Sequence, residues 1–259
     1  MQELAAVNDA LARYIRPATF PLAARMVPKG EQLPPRIKRP YRDLGEKVTI
    51  CQVIGMARHY GWAMFIGAED ASCPIQRTVF GLEPMTEYYS EGNLCSGMYT
   101  ATPELGRKTE SAVARVGYGD YDGTLVAPLE RAAFTPEVFV IYGNSAQVMI
   151  LVAAWLYHRG GELTSSFTAR ADCSDIIIRT IQKDAPQVIL PCNGDRVFGQ
   201  TEDWEMAFTA PARCIDEIVD GLAKCHQGGI RYPIPKWLRY TPKYPDHYTK
   251  LDEIWKSGK

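Results

Sequence analysis

Cysteine is the residue type in this chain with the most distinctive chemistry, and the sequence contains seven of them. A thiolate is a nucleophile and a ligand for soft metals, whereas a buried thiol behaves as a small apolar side chain. Cys73 and Cys173 stand at predicted helix starts, where free N–H groups and the helix dipole favour a thiolate. Cys51 stands at another predicted helix start, for which Thr49 is the expected N-cap, and Cys192 lies in a polar turn after a predicted strand. These four cysteines are the candidate ligands, and burial as core residues is the alternative.

The spacing of the cysteines bears on which metal they would bind. Structural zinc sites usually contain closely spaced ligand pairs, and the sequence has no CxxC pair. Its four histidines also show no ligand spacing. The sequence therefore favours a [4Fe-4S] cluster, or a related thiolate-bound metal, held by three or four of these cysteines. With three ligands one iron would stay open as a Lewis acid for a small substrate, and with four an electron-transfer or structural role is expected.

The other three cysteines have different expected roles. Cys95 lies in a Cys-Ser-Gly turn that loosely matches the turn at Cys192, so it is a reserve ligand. Cys214 and Cys225 lie on a predicted late helix, where packing is the expected role.

Polar residues beside these cysteines are candidates for ligand binding. Asn193, Asp195 and Arg196 could position a small anion, or the last two could simply pair with each other. Asn144 begins a predicted helix, whose N–H groups could receive an anion or could merely be capped.

Acidic residues flank the two helices that begin at cysteines. We expect them to complement the helix N-termini, and the alternative is an acid or base beside a metal. They are Glu69, Asp70, Asp172 and Asp175.

Hydrophobic periodicity predicts the elements that would position these residues. Helices are expected over residues 4–14, 51–60, 146–158 and 212–224, and strands over 20–27, 63–68, 125–127, 138–142, 165–169, 187–190 and 204–209.

The order of these elements is repeated along the chain. A strand, a helix, a second strand, a helix that begins at a cysteine and a Cys-containing turn occur once in each half. This order predicts an α/β fold of two pseudo-repeated halves with mixed sheets. We place the halves at residues 1–134 and 135–229.

The remaining residues, 230–259, are rich in Pro, Tyr and Trp and lack periodicity. We expect an extended arm whose aromatic rings are buried against its own domain, a second copy of the chain or a partner enzyme subunit. The aromatic residues are Tyr232, Trp237, Tyr240, Tyr244, Tyr248 and Trp255.

Composition excludes several classes of protein. The net charge is -1, so no basic surface is available for nucleic acid. The most apolar stretch, residues 138–157, is interrupted by a Gly-Asn-Ser turn, which argues against a membrane span. The first residues lack the pattern of a signal peptide, and we expect a cytoplasmic protein without a disulfide framework.

Six short motifs follow one another between about residues 15 and 225. They are Cys51-Gln52, Ser72-Cys73, Ala127 to Glu130, Gly143 to Gln147, Cys173 to Asp175 and Cys192 to Arg196. In these motifs the chain resembles the uncharacterised family called domain of unknown function 169, which occurs largely in archaea and anaerobic bacteria. The resemblance implies that Cys51, Cys73, Cys173 and Cys192 occupy the family's recurring cysteine positions, and it supplies no catalytic residue.

Three hypotheses follow for function. The first is an iron–sulfur or other thiolate-bound metal protein with its site between the two halves, in the setting of anaerobic metabolism. The second is a metal-free enzyme with a cysteine nucleophile. The third is a non-catalytic subunit that docks on a larger enzyme complex through residues 230–259. The sequence does not decide whether the protein is an enzyme.

Overall fold

The computed structural model describes residues 4–236 and 241–258, and within these ranges six strands form one sheet. The strands are β1 (Leu22–Pro28), β2 (Met64–Gly67), β3 (Tyr121–Pro128), β4 (Val138–Gly143), β5 (Gln187–Ile189) and β6 (Met206–Pro211). Their order across the sheet is β2-β3-β1-β4-β6-β5, and each neighbouring pair is antiparallel.

Both faces of the sheet are buried, and the alternation of side chains divides each strand between two cores. In β1, Leu22, Ala24 and Met26 belong to the core on the first face. Ala23 and Val27 point the other way, into the core on the second face. The central strands are therefore apolar at nearly every position, as is typical of a sheet covered on both sides.

Twelve α-helices surround the sheet within the described residues. They are α1 (Leu4–Tyr14), α2 (Pro40–Leu44), α3 (Ile50–Tyr60), α4 (Pro74–Val79), α5 (Glu87–Ser90), α6 (Pro103–Ala112), α7 (Ser145–Leu156), α8 (Asp172–Ser174), α9 (Thr180–Lys183), α10 (Asn193–Phe198), α11 (Ile215–Gln227) and α12 (Asp246–Lys256). A π-helical segment, Asp175–Arg179, joins α8 to α9. Helices α3 and α4 and the π-helical segment pack on the first face, and α1, α7 and α11 pack on the second.

Capping residues define the starts of the two central helices. Thr49 caps α3 in a reciprocal capping box with Gln52, and Asn144 caps α7 in the same way with Gln147. These caps satisfy backbone N–H groups that lack a partner inside the helix. The predicted start of each helix at Thr49 and Asn144 is thus confirmed.

The α/β class is confirmed, but some expected elements differ. The sheet is antiparallel rather than mixed. Residues 165–169, expected to form a strand, have no regular secondary structure. The backbone N–H of Val188 in β5 donates to the Ser165 hydroxyl, which is a side-chain contact and not a strand pairing. The polar turn at Cys192 is the start of α10, for which Cys192 is the N-cap residue.

The structure does not confirm the duplication of the two halves. The strands on the two sides of the central β1–β4 pair follow the same pattern of chain order. From the centre outward, the first, third and second strands of the first half (β1, β3, β2) correspond to the first, third and second strands of the second half (β4, β6, β5). A two-fold axis through an antiparallel pair would keep equivalent helices on one face of the sheet. Helices α3 and α7 lie on opposite faces, so the repeat in sequence order is not a repeat in packing.

The C-terminal segment is not simply extended, because it contains α12. No residue of α12 is buried, and Tyr244, Tyr248 and Trp255 are exposed. Tyr232 does contact the body of the protein, where its hydroxyl accepts a hydrogen bond from the Asn144 side chain at 3.1 Å. Trp237 and Tyr240 lie outside the described residues.

None of the helices in the described ranges combines the length and the apolar character that a membrane crossing requires.

Candidate metal centre

Three elements on the first face of the sheet bring cysteines together. Cys51 lies in the first turn of α3, Cys173 lies in α8, and Cys192 immediately precedes α10. Ligand atoms of Cys51, Cys173 and Asp172 all lie within 4.8 Å of one another, and the three residues are buried. All seven cysteines are free within the described chain.

Two glycines allow α10 to approach α3 closely, which places Asp195 and Cys192 beside this cluster. A Cβ atom on Gly55 of α3 would lie 2.7 Å from the carbonyl oxygen of Gly199. A Cβ atom on Gly199 would lie 2.2 Å from Asp195 Oδ1 and 3.0 Å from the carbonyl oxygen of Cys51. Any larger residue at Gly199 would push α10, with Asp195, away from the start of α3.

Cys73 and Cys192 lie next to the central group. Cys192 is 7% exposed, and its charge raises the pKa of Cys173. Cys73 is the N-cap residue of α4 and is partly exposed. It is near enough to Cys51 for its charge to act on the pKa of that thiol. The four cysteines singled out by sequence are thus in one neighbourhood, and their role as ligands stays a prediction.

The three buried thiols resist ionisation when no cation is bound. Interaction with the Cys51 thiol, together with burial, raises the pKa of Cys173 well above its usual value. The same interaction lowers the pKa of Cys51, but burial and the charges of Asp172 and Asp195 outweigh it, so the pKa of Cys51 is also raised. Burial and the Asp172 charge raise the pKa of Cys192. A cation among these sulfurs would reverse the effect, because it stabilises the thiolates.

Asp172 is the most unusual residue of the cluster. Its side chain is 1% exposed, and neither of its oxygens has a hydrogen-bond partner among residues 4–236 and 241–258. Burial and the nearby Asp195 carboxylate raise the pKa of Asp172 well above its usual range. A buried carboxylate without a partner is costly, so a proton or a cation is expected at this point.

The neighbouring Asp195 is held by a hydrogen-bond network. Its Oδ2 accepts hydrogen bonds from Thr201 Oγ1 at 2.8 Å and from the Tyr142 hydroxyl at 3.2 Å. Arg58 donates to Thr201 at 3.0 Å, forms a buried ion pair with Glu205 and stacks 3.6 Å from the centre of the Tyr142 ring. Burial raises the pKa of Asp195 in spite of these partners.

The helix that carries Asp172 and Cys173 is fixed to its surroundings through its π-helical segment. The Thr209 hydroxyl of β6 donates to the carbonyl oxygen of Ile176 at 2.9 Å. Asp175 forms an ion pair with Arg179 at 2.6 Å and accepts a hydrogen bond from the Thr168 N–H at 3.2 Å. Short π-helical segments occur often at functional sites, where they alter the direction of side chains.

Four polar residues are predicted by the sequence to bind a ligand: Asn144, Asn193, Asp195 and Arg196. The side chains of Asn144 and Arg196 form hydrogen bonds elsewhere, and Asn193 is exposed. The Asn144 side chain is engaged in capping α7 and in the contact with Tyr232. Asn193 is exposed, and Arg196 donates to the backbone of Glu202 at 2.6 Å. Asp195 alone lies directly beside the cluster, and ligand binding by these residues stays a prediction.

The other cysteines and acidic residues are placed in different surroundings. Cys214 lies in the core of the second face, Cys225 is buried on α11, and Cys95 is buried near Tyr99 and Arg170. Glu69 and Asp70 pair with Arg39, each at 3.1 Å.

Sequence reasoning treated Asp172 as a helix-start acid and did not single out Arg58 or Glu205. A signal for Arg58 was present, because it falls on the apolar face of α3, where a charged residue needs a buried partner. No comparable signal distinguished Asp172 from the neighbouring acids, since only folding leaves it without a partner.

The comparisons with known proteins agree with the resemblance seen in the motifs. The sequence profile of domain of unknown function 169, described as uncharacterised ArCR, matches residues 10–221. The uncharacterized protein MJ0308 of Methanocaldococcus jannaschii is 26% identical over 215 residues, covering 80% of this chain and 88% of the relative. No solved structure matches the chain. Because the profile spans most of the sequence, the chain belongs to the family called domain of unknown function 169.

Proposed function

We propose that this protein binds a metal or an iron–sulfur cluster through thiolates at the cluster of cysteines on the first face of the sheet. The observation that carries the proposal is the burial of two thiols and a carboxylate, Cys51, Cys173 and Asp172, with their ligand atoms within 4.8 Å. Thiolates and carboxylates grouped in this way are typical metal ligands. Without a metal, burying these ionisable side chains together is costly.

The balance of charge around the site supports a cation. Asp172, Asp195 and Glu205 are buried acids. The buried Arg58 pairs with Glu205 and acts to lower the pKa of Asp195, which burial raises, but it does not pair with Asp172. Arg58 is already paired with Glu205. The described residues therefore offer no positively charged partner to Asp172. A bound cation would balance the negative charge of the Asp172 carboxylate and of the thiolates that bind it.

An iron–sulfur cluster is the group that four neighbouring thiolates suit best. Cys51, Cys73, Cys173 and Cys192 would hold it, since Cys73 lies near enough to affect the pKa of Cys51, and Cys51 and Cys192 lie near enough to affect the pKa of Cys173. Among the four, only Cys73 is partly exposed. Such a cluster supplies electron transfer, or a Lewis-acid iron where one ligand is lacking. Because Cys73 is the partly exposed cysteine of the four, a small molecule would reach the iron–sulfur cluster from the side of Cys73.

A single thiophilic ion is the second candidate, and the spacing of the central group favours it. Donors at about 2.0–2.3 Å from one ion lie at most about 4.6 Å apart. The 4.8 Å limit that encloses Cys51, Asp172 and Cys173 is close to this value. Ligands of a cluster bind different irons and are spread more widely.

The experiment is purification under anaerobic conditions, followed by measurement of metal and acid-labile sulfide per chain. A cluster gives about four irons with sulfide, and a single ion gives about one metal without sulfide. The double variant Cys51→Ser/Cys173→Ser should lose the metal, whereas Cys225→Ser, on α11, should keep it. A wild-type protein that contains neither metal nor sulfide, and takes up neither on reconstitution, contradicts the proposal.

The raised pKa values bear on the metal-free alternative. A nucleophilic cysteine needs a lowered pKa, whereas the pKa values of Cys51, Cys173 and Cys192 are raised. These three thiols are therefore poor nucleophiles in the absence of a cation.

A further inference from the structure

We infer that Asp172 is itself a ligand, so that the metal or cluster is held by Cys51, Cys173 and Asp172 with Cys192 as the fourth donor, and that Cys73 is not required. This inference rests on the proposed function and deepens it, because it assigns an oxygen ligand to a site that the sequence predicts to be made of sulfur alone.

The first argument is that no cationic side chain pairs with Asp172 among the described residues. Asp70 is paired with Arg39, and Asp175 is paired with Arg179. Asp172 is as deeply buried as these two, yet both of its oxygens lack a hydrogen-bond partner throughout the described chain. It does not cap its helix either, because Ala171 is the N-cap residue of α8.

The second argument is position. An oxygen of Asp172 lies within 4.8 Å of both the Cys51 and Cys173 sulfurs. Cys192 lies beside Asp172, and the charge of Asp172 acts on the thiol. Cys73 and Cys192 both lie outside the 4.8 Å group, but Cys192 is buried and interacts with Asp172, whereas Cys73 is partly exposed and is the N-cap residue of α4. Asp172 is therefore better placed than Cys73 to complete the ligand set.

The third argument is the chemistry of the donors. Thiolates bind soft and borderline metals firmly, and a carboxylate oxygen binds them less firmly. A ligand set with one carboxylate therefore has one position that is easier to displace than the others, and Asp172 marks that position.

The test uses the full-length chain and compares four variants with the wild type. Asp172→Asn removes the ligand and keeps the shape, and Asp172→Cys replaces it with a stronger ligand. Asp195→Asn removes an equal buried charge from a residue held by Thr201 and Tyr142, and Cys73→Ser removes the fourth family cysteine. Each metal-free protein is titrated with Co²⁺ anaerobically, with visible absorption and Tm as readouts, and is also reconstituted with iron and sulfide.

The expected result is a loss of affinity for Co²⁺ of at least about 10-fold in Asp172→Asn, with lower iron content after reconstitution. Asp172→Cys should bind Co²⁺ with more intense sulfur-to-metal absorption, and Cys73→Ser should match the wild type. Metal-free Asp172→Asn should have a Tm equal to or above that of the wild type, because a carboxylate without a partner is removed from the interior. A structural role for Asp172 predicts a lower Tm instead.

Three outcomes overturn the inference. Asp172→Asn could retain wild-type affinity, Asp172→Asn and Asp195→Asn could weaken binding equally, or Cys73→Ser could lose the metal while Asp172→Asn keeps it. Failure of the wild type to bind any metal is a different result, since it contradicts the proposed function as a whole.

Discussion

Arg58 and Asp172 are opposite cases of a charged residue in a protein interior. Arg58 is completely buried, yet each part of its guanidinium has a partner: Thr19, Thr201 and Glu205 accept its hydrogen bonds. Burial of such a charge is tolerated because it is paired and each of its three nitrogens donates a hydrogen bond. Asp172 has the same burial without partners. The contrast singles out Asp172, rather than the deeply buried arginine, as the buried charged residue without a compensating partner among the described residues.

The raised pKa values of Asp172 and Asp195 predict how the stability of the metal-free protein depends on pH. When folding raises the pKa of an acid, the folded state binds more protons than the unfolded state. Its contribution to stability is therefore greatest below the ordinary Asp pKa of about 3.9 and is lost as pH rises through the raised value. Asp172→Asn removes this loss, because asparagine does not ionise.

Urea unfolding of the metal-free proteins at several pH values measures the effect. The variant should gain in unfolding free energy relative to the wild type as pH rises, by about 1–3 kcal/mol at neutral pH, the cost of a buried polar group without a partner. Asn at position 193, which is exposed, offers a control site: Asn193→Asp should change stability little. A difference between Asp172→Asn and wild type that shrinks with pH contradicts the prediction.

At the scale of elements, the site depends on the distance between α3 and α10. Gly199 is the point of contact, since a side chain there would collide with Asp195 and with the backbone at Cys51. We expect Gly199→Ala to lower the unfolding free energy by about 1–3 kcal/mol, as overpacking does, and to weaken metal binding. Urea unfolding and Co²⁺ titration measure the two effects.

Gly194→Ala is the matched control on the same helix. A Cβ atom at Gly194 would have only an ordinary contact, 3.6 Å from the Cys192 sulfur. This variant should stay close to the wild type in both measurements. If both glycine variants behave alike, the close approach of α10 to α3 is not what positions the site.

At the scale of the whole molecule, the sheet and its two layers of helices are separate from α12. No residue of α12 is buried, and its exposed residues include Tyr248, Leu251 and Trp255. Removal of residues 246–259 should therefore leave the Tm and the metal content unchanged, because no buried contact is lost. Thermal unfolding and metal analysis of the truncated chain measure this.

A longer truncation, after Gly229, provides the comparison. It also removes Tyr232, which packs against the core of the second face and accepts a hydrogen bond from Asn144. The longer truncation should lower the Tm, whereas the shorter one should not. A fall in Tm with the shorter truncation would show that α12 packs on the body of the protein. Docking of a partner through residues 230–259 stays a prediction, which co-purification with the full chain and with the shorter form would test.

The amino-acid sequence by itself determined the local structure of the elements around the site. Thr49 and Asn144 predicted the starts of α3 and α7, because their side chains cap backbone N–H groups only a few residues away. The apolar runs predicted most strands of the sheet, since burial on both faces requires them. The motif order also predicted the family, which the match over residues 10–221 confirms.

Tertiary structure alone decided which residues share the site. Cys51 and Cys173 are separated by more than a hundred positions, and nothing in their local sequence requires them to meet. Their approach depends on α8 packing on the same face of the sheet as α3. The structure does not confirm the apparent repeat, because order along the chain does not determine the face on which a helix packs. Asp172 became distinctive only when folding buried it without a partner, since hydrogen bonding and desolvation are properties of the folded surroundings.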